Sequence, residues 1–188
     1  IDERVSFVIL LCATNRICSS LVGFKFFHIV VMKEAPKENL SSADPDEEAY
    51  PKLLFARDGE VFTLGGRAHL VLGGAYSVDK YYRLMRGFNW WPDEQPSDEI
   101  KEACWHKMEE CGFVVDTVLS HTCPYKYIPR EAFLPMINQD SVDDSTEKWL
   151  DNIESRLYYE RWYCGHWHIS KRVDKLHFLF HDFEIAEE

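Results

Sequence analysis

The chain has 188 residues and a formal net charge of −11, and 46% of its residues are hydrophobic while 14% are aromatic. This length and composition fit one domain with a sizeable core. The acidic balance excludes a protein that attracts nucleic acid or an anionic membrane through its overall field, although a local positive site such as a bound metal could hold an anionic substrate.

The first 50 residues differ in character from the rest of the chain. Their two apolar runs, 5–13 and 21–32, are each shorter than the roughly 20 residues that a membrane-spanning helix needs, and they predict buried strands. The segment 33–51 combines prolines with many acidic residues and predicts a linker. We therefore divide the chain into an atypical N-terminal part (1–50) and a more regular part (51–188).

The six cysteines indicate a redox environment. No two of them have the CxxC spacing of a zinc knuckle or a thioredoxin motif. We therefore expect free thiols in a reducing cytoplasm.

The more regular part opens with strands. Residues 53–74 are β-prone and interrupted by turn dipeptides that contain glycine. The next segment, 75–87, predicts a loop or a short helix, and 89–96 predicts a loop because two prolines interrupt it.

A helix, a strand and a loop follow in that order. The helix should begin at Ser97, since acidic residues in its first turn suit the helix dipole, and it should end at Gly112. The strand spans 113–119, and the loop after it carries His121.

A second helix, strand and loop come next. Asp144 and Glu147 resemble a capping box at the start of the helix. The strand spans 161–164, and the loop that leaves it carries His166 and His168.

The tail, 168–185, predicts a β-hairpin that turns at Asp174-Lys175. His177 and His181 lie in this hairpin, and we expect both side chains to face solvent or to bridge neighbouring groups. The whole alternation of helices and strands predicts an α/β fold.

Three histidines therefore follow strands, at the position where α/β folds bind ligands. Neutral imidazole is the commonest protein ligand for Zn, Fe, Mn and similar metals. In an extended segment His166 and His168 would point to the same side, toward one metal or two adjacent ones. From the spacing alone, a structural or surface pair of histidines is an equally open interpretation.

Taken together, these motifs resemble a known family. GHWH (165–168) matches the GHxH signature of the calcineurin-like metallophosphoesterases, and SHTCP (120–124) is similar to their earlier single-histidine motif. GGAYSVDKYYRL (73–84) and DEQPSDE (93–99) resemble a bacterial and phage branch of that superfamily, and the likeness covers about 51–183.

The resemblance implies a four-layered α/β/β/α sandwich with a dinuclear centre of divalent metal ions of the Mn, Fe, Zn or Ni class. His121 and His166 would ligate one metal and His168 the other. The metals would polarise the phosphoryl oxygens of a phosphate ester and supply a hydroxide for attack.

The resemblance also implies that the loop after residues 69–74 lies beside the site. Tyr76, Lys80 and Arg83 are then candidates for binding the substrate phosphate. The alternative for this loop is a surface helix on which Asp79 and Arg83 form an i,i+4 ion pair.

The chain departs from the family pattern in its N-terminal part. The DxH, GD and GNH motifs, which supply the bridging carboxylate and the catalytic histidine, are missing. Without that carboxylate the repulsion between two cations is uncompensated. We therefore expect a truncated or impaired hydrolase whose sandwich is incomplete at its N-terminal side, and the start at Ile1 favours truncation.

Two other interpretations stay open. One is a non-catalytic binding or regulatory remnant of the fold that holds at most one metal. The other is a mononuclear site that adds Cys123 to the three histidines, against the reading of Cys123 as a core thiol.

Overall fold

The computed structural model describes residues 7–11, 29–32, 53–55, 58–64, 66–88, 90, 92–180 and 184–186. Over these residues the chain is a mixed α/β structure with a six-stranded mixed sheet and three α-helices, which confirms the predicted mixture of helices and strands. Within the same ranges, no helix has the length and apolar character that crossing a bilayer requires.

The elements are numbered in chain order. The strands are β1 (Phe7–Leu11), β2 (Ile29–Met32), β3 (Leu53–Phe55), β4 (Val61–Leu64), β5 (Arg67–Leu72), β6 (Thr117–Ser120), β7 (Arg161–Cys164), β8 (Lys171–Val173), β9 (Leu176–Phe178) and β10 (Glu184–Ala186). The helices are α1 (Lys80–Arg86), α2 (Asp98–Glu110) and α3 (Ser145–Glu154).

Two sheets contain these strands. The smaller is antiparallel throughout, in the order β10-β1-β2-β3. The apolar runs 5–13 and 21–32 thus contain strands as predicted, while the burial of their side chains lies outside the described residues.

The larger sheet has the order β4-β5-β6-β7-β9-β8. Its four inner strands, β5, β6, β7 and β9, run parallel, and the edge strands β4 and β8 are antiparallel to their neighbours. Parallel strands need long crossover connections, and those between β5, β6 and β7 contain the helices. The carboxyl ends of four strands consequently meet at one edge of the sheet.

The helix-facing side of this sheet forms the core. Leu70, Val118, Trp162 and Leu176 stand opposite one another in register across the four parallel strands. All four are buried in one apolar cluster with Ile153 and other residues of α2 and α3. Burial of such side chains stabilises the fold by about 1.5–3 kcal/mol each.

The other side of the sheet is also buried, and this overturns one prediction. His177 of β9 is only 6% exposed, and its ring centroid lies 4.9 Å from that of Tyr163. Of the two alternatives predicted for His177, the solvent-facing one is therefore wrong, because β9 is an inner strand and parallel strands are covered on both faces. His181 lies outside the described residues.

Helix α2 begins and ends as the sequence predicts. The Ser97 hydroxyl accepts a hydrogen bond of 3.3 Å from the Ile100 N–H. Asp98 and Glu99 occupy the first turn, and Gly112 follows the helix with a φ of 65°.

Helix α3 begins differently from the prediction. The Asp144 side chain makes no capping hydrogen bond, and the Ser145 N–H donates to Asp143 Oδ1 over 3.0 Å instead. Glu147 is buried against the loop that follows β6. The predicted capping box is thus wrong, because a tertiary partner takes the glutamate.

The end of the chain contains the predicted hairpin. Strands β8 and β9 pair in antiparallel register around the turn at Asp174-Lys175. Asp174 has a φ of 52°, a conformation that aspartate tolerates better than most residues.

Candidate functional site

The site begins where β6 and β7 end side by side. Ser120 and Cys164, the last residues of the two strands, stand opposite each other. The ladder continues one step further, since the Gly165 N–H donates to the His121 carbonyl over 3.0 Å and the His121 N–H donates to the Leu72 carbonyl over 3.0 Å. The two loops that carry the candidate histidines therefore leave the sheet together.

This shared exit brings two imidazoles into contact. Nδ1 of His166 lies 3.2 Å from Nε2 of His121, and the ring centroids are 5.0 Å apart. The structure thus brings together His121 and His166 as a pair, while their role as metal ligands stays a prediction.

The third histidine lies nearby with a different ring partner. The His168 ring stacks on Phe180, with centroids 4.9 Å apart and planes inclined by 17°. Its charge would nevertheless act on both His121 and His166. The three histidines thus share one electrostatic environment, and His121 and His166 lie within hydrogen-bonding distance of each other.

The backbone of this loop is strained. His166 has a φ of 66° and His168 a φ of 52°, so both lie in the left-handed region that costs a non-glycine residue about 1–2 kcal/mol. The expectation of an extended His166–His168 segment is therefore wrong. Residues held in such conformations cluster at functional sites, because the surrounding structure must compensate for the strain.

The tryptophan between these histidines anchors the loop. The Trp167 N–H donates to the Gly165 carbonyl over 2.7 Å, and the indole stacks on Phe133 with centroids 6.0 Å apart. Trp167 also packs against the core cluster. These contacts hold the strained segment in place.

Both imidazoles of the pair are held in the neutral form. Burial lowers the pKa of His121 well below its usual range, and His166 and His168 lower it further. Burial also lowers the pKa of His166 to about 4, helped by His168 and opposed by Asp79, although part of this residue reaches the surface. Neutral imidazole is the form that binds metals.

The spacing of the two nitrogens is close to that of two ligands on one tetrahedral cation. Two nitrogens that each lie about 2.0–2.1 Å from a tetrahedral metal are roughly 3.3 Å apart, close to the 3.2 Å between His121 and His166. Across the described ranges, no group of three or more His, Cys, Asp and Glu side chains is arranged to hold a metal ion. Within those ranges, His121 and His166 are the two donors in contact.

In the segment predicted to bind the substrate, the side chains of Lys80 and Arg83 contact other residues. Lys80 Nζ lies 4.0 Å from the centroid of the Trp90 ring, and Arg83 Nε donates to Asp79 Oδ2 over 2.8 Å. The i,i+4 pair offered as the alternative for this loop is thus present. Tyr76 is half-buried, and burial raises the pKa of its hydroxyl.

Glu94 holds this segment in place through two hydrogen bonds, a role that the sequence did not reveal. It is 7% exposed and accepts hydrogen bonds from the Ser77 N–H over 3.0 Å and from Trp90 Nε1 over 2.7 Å. Its local signal is an acidic residue enclosed by two prolines.

Thr122 and Glu147 form a second contact that the sequence did not reveal. Oγ1 of Thr122 donates to Oε1 of Glu147 over 2.8 Å, and both residues are buried. The contact joins the loop that carries His121 to the first turn of α3. Its only sequence signal was Glu147 itself, which resembled part of a capping box.

Cys123 behaves as a core residue. It is buried in the same cluster as Trp162 and Cys164. Burial raises the pKa of its thiol, and the charge of Glu147 raises it further, so the protonated form that does not bind metals is favoured. These observations favour the core-thiol interpretation. The four described cysteines are all free thiols: Cys104, Cys111, Cys123 and Cys164.

Comparisons of the chain with protein-family models, with curated proteins and with solved structures found no significant match in any of the three.

Proposed function

We propose that the chain is the C-terminal part of a calcineurin-like metallophosphoesterase, a metal-dependent hydrolase of phosphate esters. The observation that supports this best is the 3.2 Å contact between His166 Nδ1 and His121 Nε2 at the ends of adjacent parallel strands. The family signatures resembled by 165–168 and 120–124 contain these two histidines. The four-layered sandwich, incomplete at its N-terminal side, and a cytoplasmic location belong to the same proposal.

In this proposal His121 and His166 hold one divalent cation and His168 faces a second. The cation, when bound, supplies a Lewis acid for the phosphoryl oxygens. The two buried imidazoles are neutral at physiological pH and need not lose a net proton to become ligands. The anchored backbone around Trp167 fixes their directions.

The substrate phosphate would enter beside the loop at the start of α1. Asp79, at the beginning of that helix, lies close enough to His166 to influence its pKa. Tyr76 precedes α1, and Lys80 and Arg83 lie on it. The Lys80 ammonium and the Arg83 guanidinium could exchange their present partners for phosphate oxygens.

A non-catalytic remnant that binds one metal is the second candidate. Over the part of the chain that the structure describes, no third His, Cys, Asp or Glu side chain joins the pair to hold a metal ion. This favours the remnant. Such a protein would bind a cation without turning over a phosphate ester.

One experiment separates the two candidates. Zn²⁺ and Mn²⁺ are titrated calorimetrically into the wild type, into His166→Ala and into His106→Ala. His106 is the matched control, because it is an exposed histidine on α2 that faces a carboxylate of Glu109. Hydrolysis of an aryl phosphodiester is followed in the same samples.

Metal binding and turnover that are both lost in His166→Ala, but kept in His106→Ala, would support the hydrolase. Metal binding that is lost in His166→Ala and kept in His106→Ala, but without turnover, would favour the remnant. Absence of Zn²⁺ binding by the wild type at neutral pH would rule out both candidates, because each of them holds a metal ion.

A further inference from the structure

The first turn of α3 contacts the candidate site through one buried hydrogen bond. Thr122, the residue after His121, donates to Glu147 with an Oγ1–Oε1 distance of 2.8 Å. Thr122 is 0% exposed and Glu147 4% exposed, so the bond is shielded from water. A hydrogen bond to a buried carboxylate is stronger than one to a neutral acceptor.

The residue before His121 is fixed as well. Ser120 Oγ donates to the Thr122 carbonyl and accepts a hydrogen bond of 2.7 Å from Trp162 Nε1. The side chains of Ser120 and Thr122, on either side of His121, are thus held by buried hydrogen bonds. The His121 ring, by contrast, lies against His166.

We propose that Glu147, acting through Thr122, is a positioning residue that fixes the His121 imidazole against His166. The proposal rests on the function proposed above for the histidine pair. The hydrogen bond that Glu147 accepts comes from Thr122. Its effect passes through the backbone of Thr122, whose rotation would turn the preceding imidazole away from its partner.

The same turn of α3 offers a matched control. Thr146 is also 0% exposed, and its hydroxyl donates to Gln95 Oε1 over 2.7 Å. This bond fastens α3 to the loop around residue 95 rather than to the loop that carries His121. Replacing either threonine with valine removes one buried hydroxyl of the same kind, but only Thr122 adjoins the histidine pair.

The test compares Thr122→Val, Glu147→Gln and Thr146→Val in the full chain. Three quantities are measured: Zn²⁺ affinity by calorimetry, the long-range ¹H–¹⁵N spectrum of the imidazoles in metal-free protein, and the urea midpoint of unfolding. The spectrum reports the tautomers of the His121–His166 contact and does not depend on metal.

We expect Thr122→Val and Glu147→Gln to weaken Zn²⁺ binding by roughly 10–100-fold, the usual effect of losing an outer hydrogen-bond partner. Both should also shift the imidazole signals of His121 and His166. Thr146→Val should lower the urea midpoint and leave affinity and signals at wild-type values. Thr122→Ser, which restores the hydroxyl, should recover both.

Wild-type imidazole signals in folded Thr122→Val would overturn the proposal, as would an equal shift in Thr146→Val. If Thr122→Val does not fold, the nearly isosteric Glu147→Gln decides in the same way. If the wild type binds no Zn²⁺, the proposed function fails, and the metal-free spectra still decide whether Glu147 positions His121.

Discussion

His166 Nδ1 and His121 Nε2 lie 3.2 Å apart although 45 positions separate the two residues in the sequence. In the absence of a cation, this contact is a hydrogen bond that requires a proton on one of the two nitrogens. A cation bound by both atoms would replace that proton, which would move to the other nitrogen of the same ring. The pair can therefore exchange a hydrogen bond for a metal by a change of tautomer.

The number of protons released on Zn²⁺ binding tests this exchange. We expect close to zero protons at pH 7, because both imidazoles are already neutral. If Cys123 were a ligand, its protonated thiol would release about one proton. Calorimetry in two buffers of different ionisation enthalpy measures this number, and Cys123→Ala should leave it unchanged.

The choice of metal is the second prediction. A pair of imidazoles should bind Zn²⁺ or Ni²⁺ more tightly than Mn²⁺ or Mg²⁺, since hard cations prefer oxygen ligands. Competition titrations give the order. His121→Ala should abolish measurable binding, whereas Cys123→Ala should mainly lower the free energy of unfolding, by about 1 kcal/mol. Tighter binding of Mn²⁺ would mean that carboxylates outside the pair take part.

Catalysis is the third prediction. The chain should hydrolyse an aryl phosphodiester or monoester only slowly with added Mn²⁺, because the DxH, GD and GNH motifs are missing, and His166→Ala should remove this residual activity. Initial rates at saturating Mn²⁺ provide the comparison. Equal rates in the wild type and in His166→Ala, with metal binding by the wild type, would favour the non-catalytic remnant.

The fourth prediction concerns pH and the metal-free protein. His166, with a pKa near 4 in the folded state against 6.5 ordinarily, contributes stability that is lost as pH falls from about 6.5 toward 4. Asp58 acts in the opposite direction, since burial raises the pKa of its carboxyl from 3.8 to about 6. Its contribution is present at low pH and is lost as pH rises through about 6.

The two groups therefore oppose each other over the same pH window. Asp58 is exposed as a residue, but its carboxyl packs so closely on Gly73 that a methyl group there would collide with it. Asp58→Asn should make the free energy of unfolding rise more steeply between pH 4 and 6 than in the wild type, as measured with urea at each pH. The exposed Asp93→Asn serves as the control, and equal slopes in both variants would contradict the expectation.

The fifth prediction uses two glycines that both have a positive φ. Gly74 has a φ of 84°, and a Cβ at this position would lie 2.8 Å from the Glu94 carbonyl oxygen and 2.8 Å from Pro96 Cδ. Gly87 has a φ of 68° with nothing within 4 Å of such a Cβ.

We expect Gly87→Ala to cost about 1 kcal/mol through backbone strain alone. Gly74→Ala should cost more than about 2 kcal/mol, because the collision adds to the strain. Urea unfolding measures both values, and an equal cost would show that the loop around Glu94 moves aside.

The sequence was sufficient where local chemistry decides the structure. Ser97 and Gly112 mark the ends of α2 through a capping hydroxyl and a left-handed glycine, which are both local signals. The turn at Asp174-Lys175 is local as well. The strands before the two histidine loops were also predictable, because β-prone runs alternate with helices in that part of the sequence.

Prediction failed where a distant partner decides. Glu147 matched a capping box, but the buried hydroxyl of Thr122, 25 positions earlier, binds it instead. The solvent-facing alternative for His177 failed because the burial of β9 depends on sheet order rather than on its own residues. The left-handed backbone at His166 and His168 depends on the packing of the loop, and the modest enrichment of histidine at positive φ is too weak a local signal to predict it.

These two backbone conformations have a consequence for how the sequence could vary. Glycine reaches the left-handed region without penalty and asparagine at a reduced one, whereas β-branched residues are strongly disfavoured there. In a library of all substitutions scored only for protein abundance, glycine at 166 or 168 should rank level with histidine or above it, while valine and isoleucine should be depleted. A histidine in these two places is thus not the choice that abundance alone would make, and its retention would have to be explained by what its ring does.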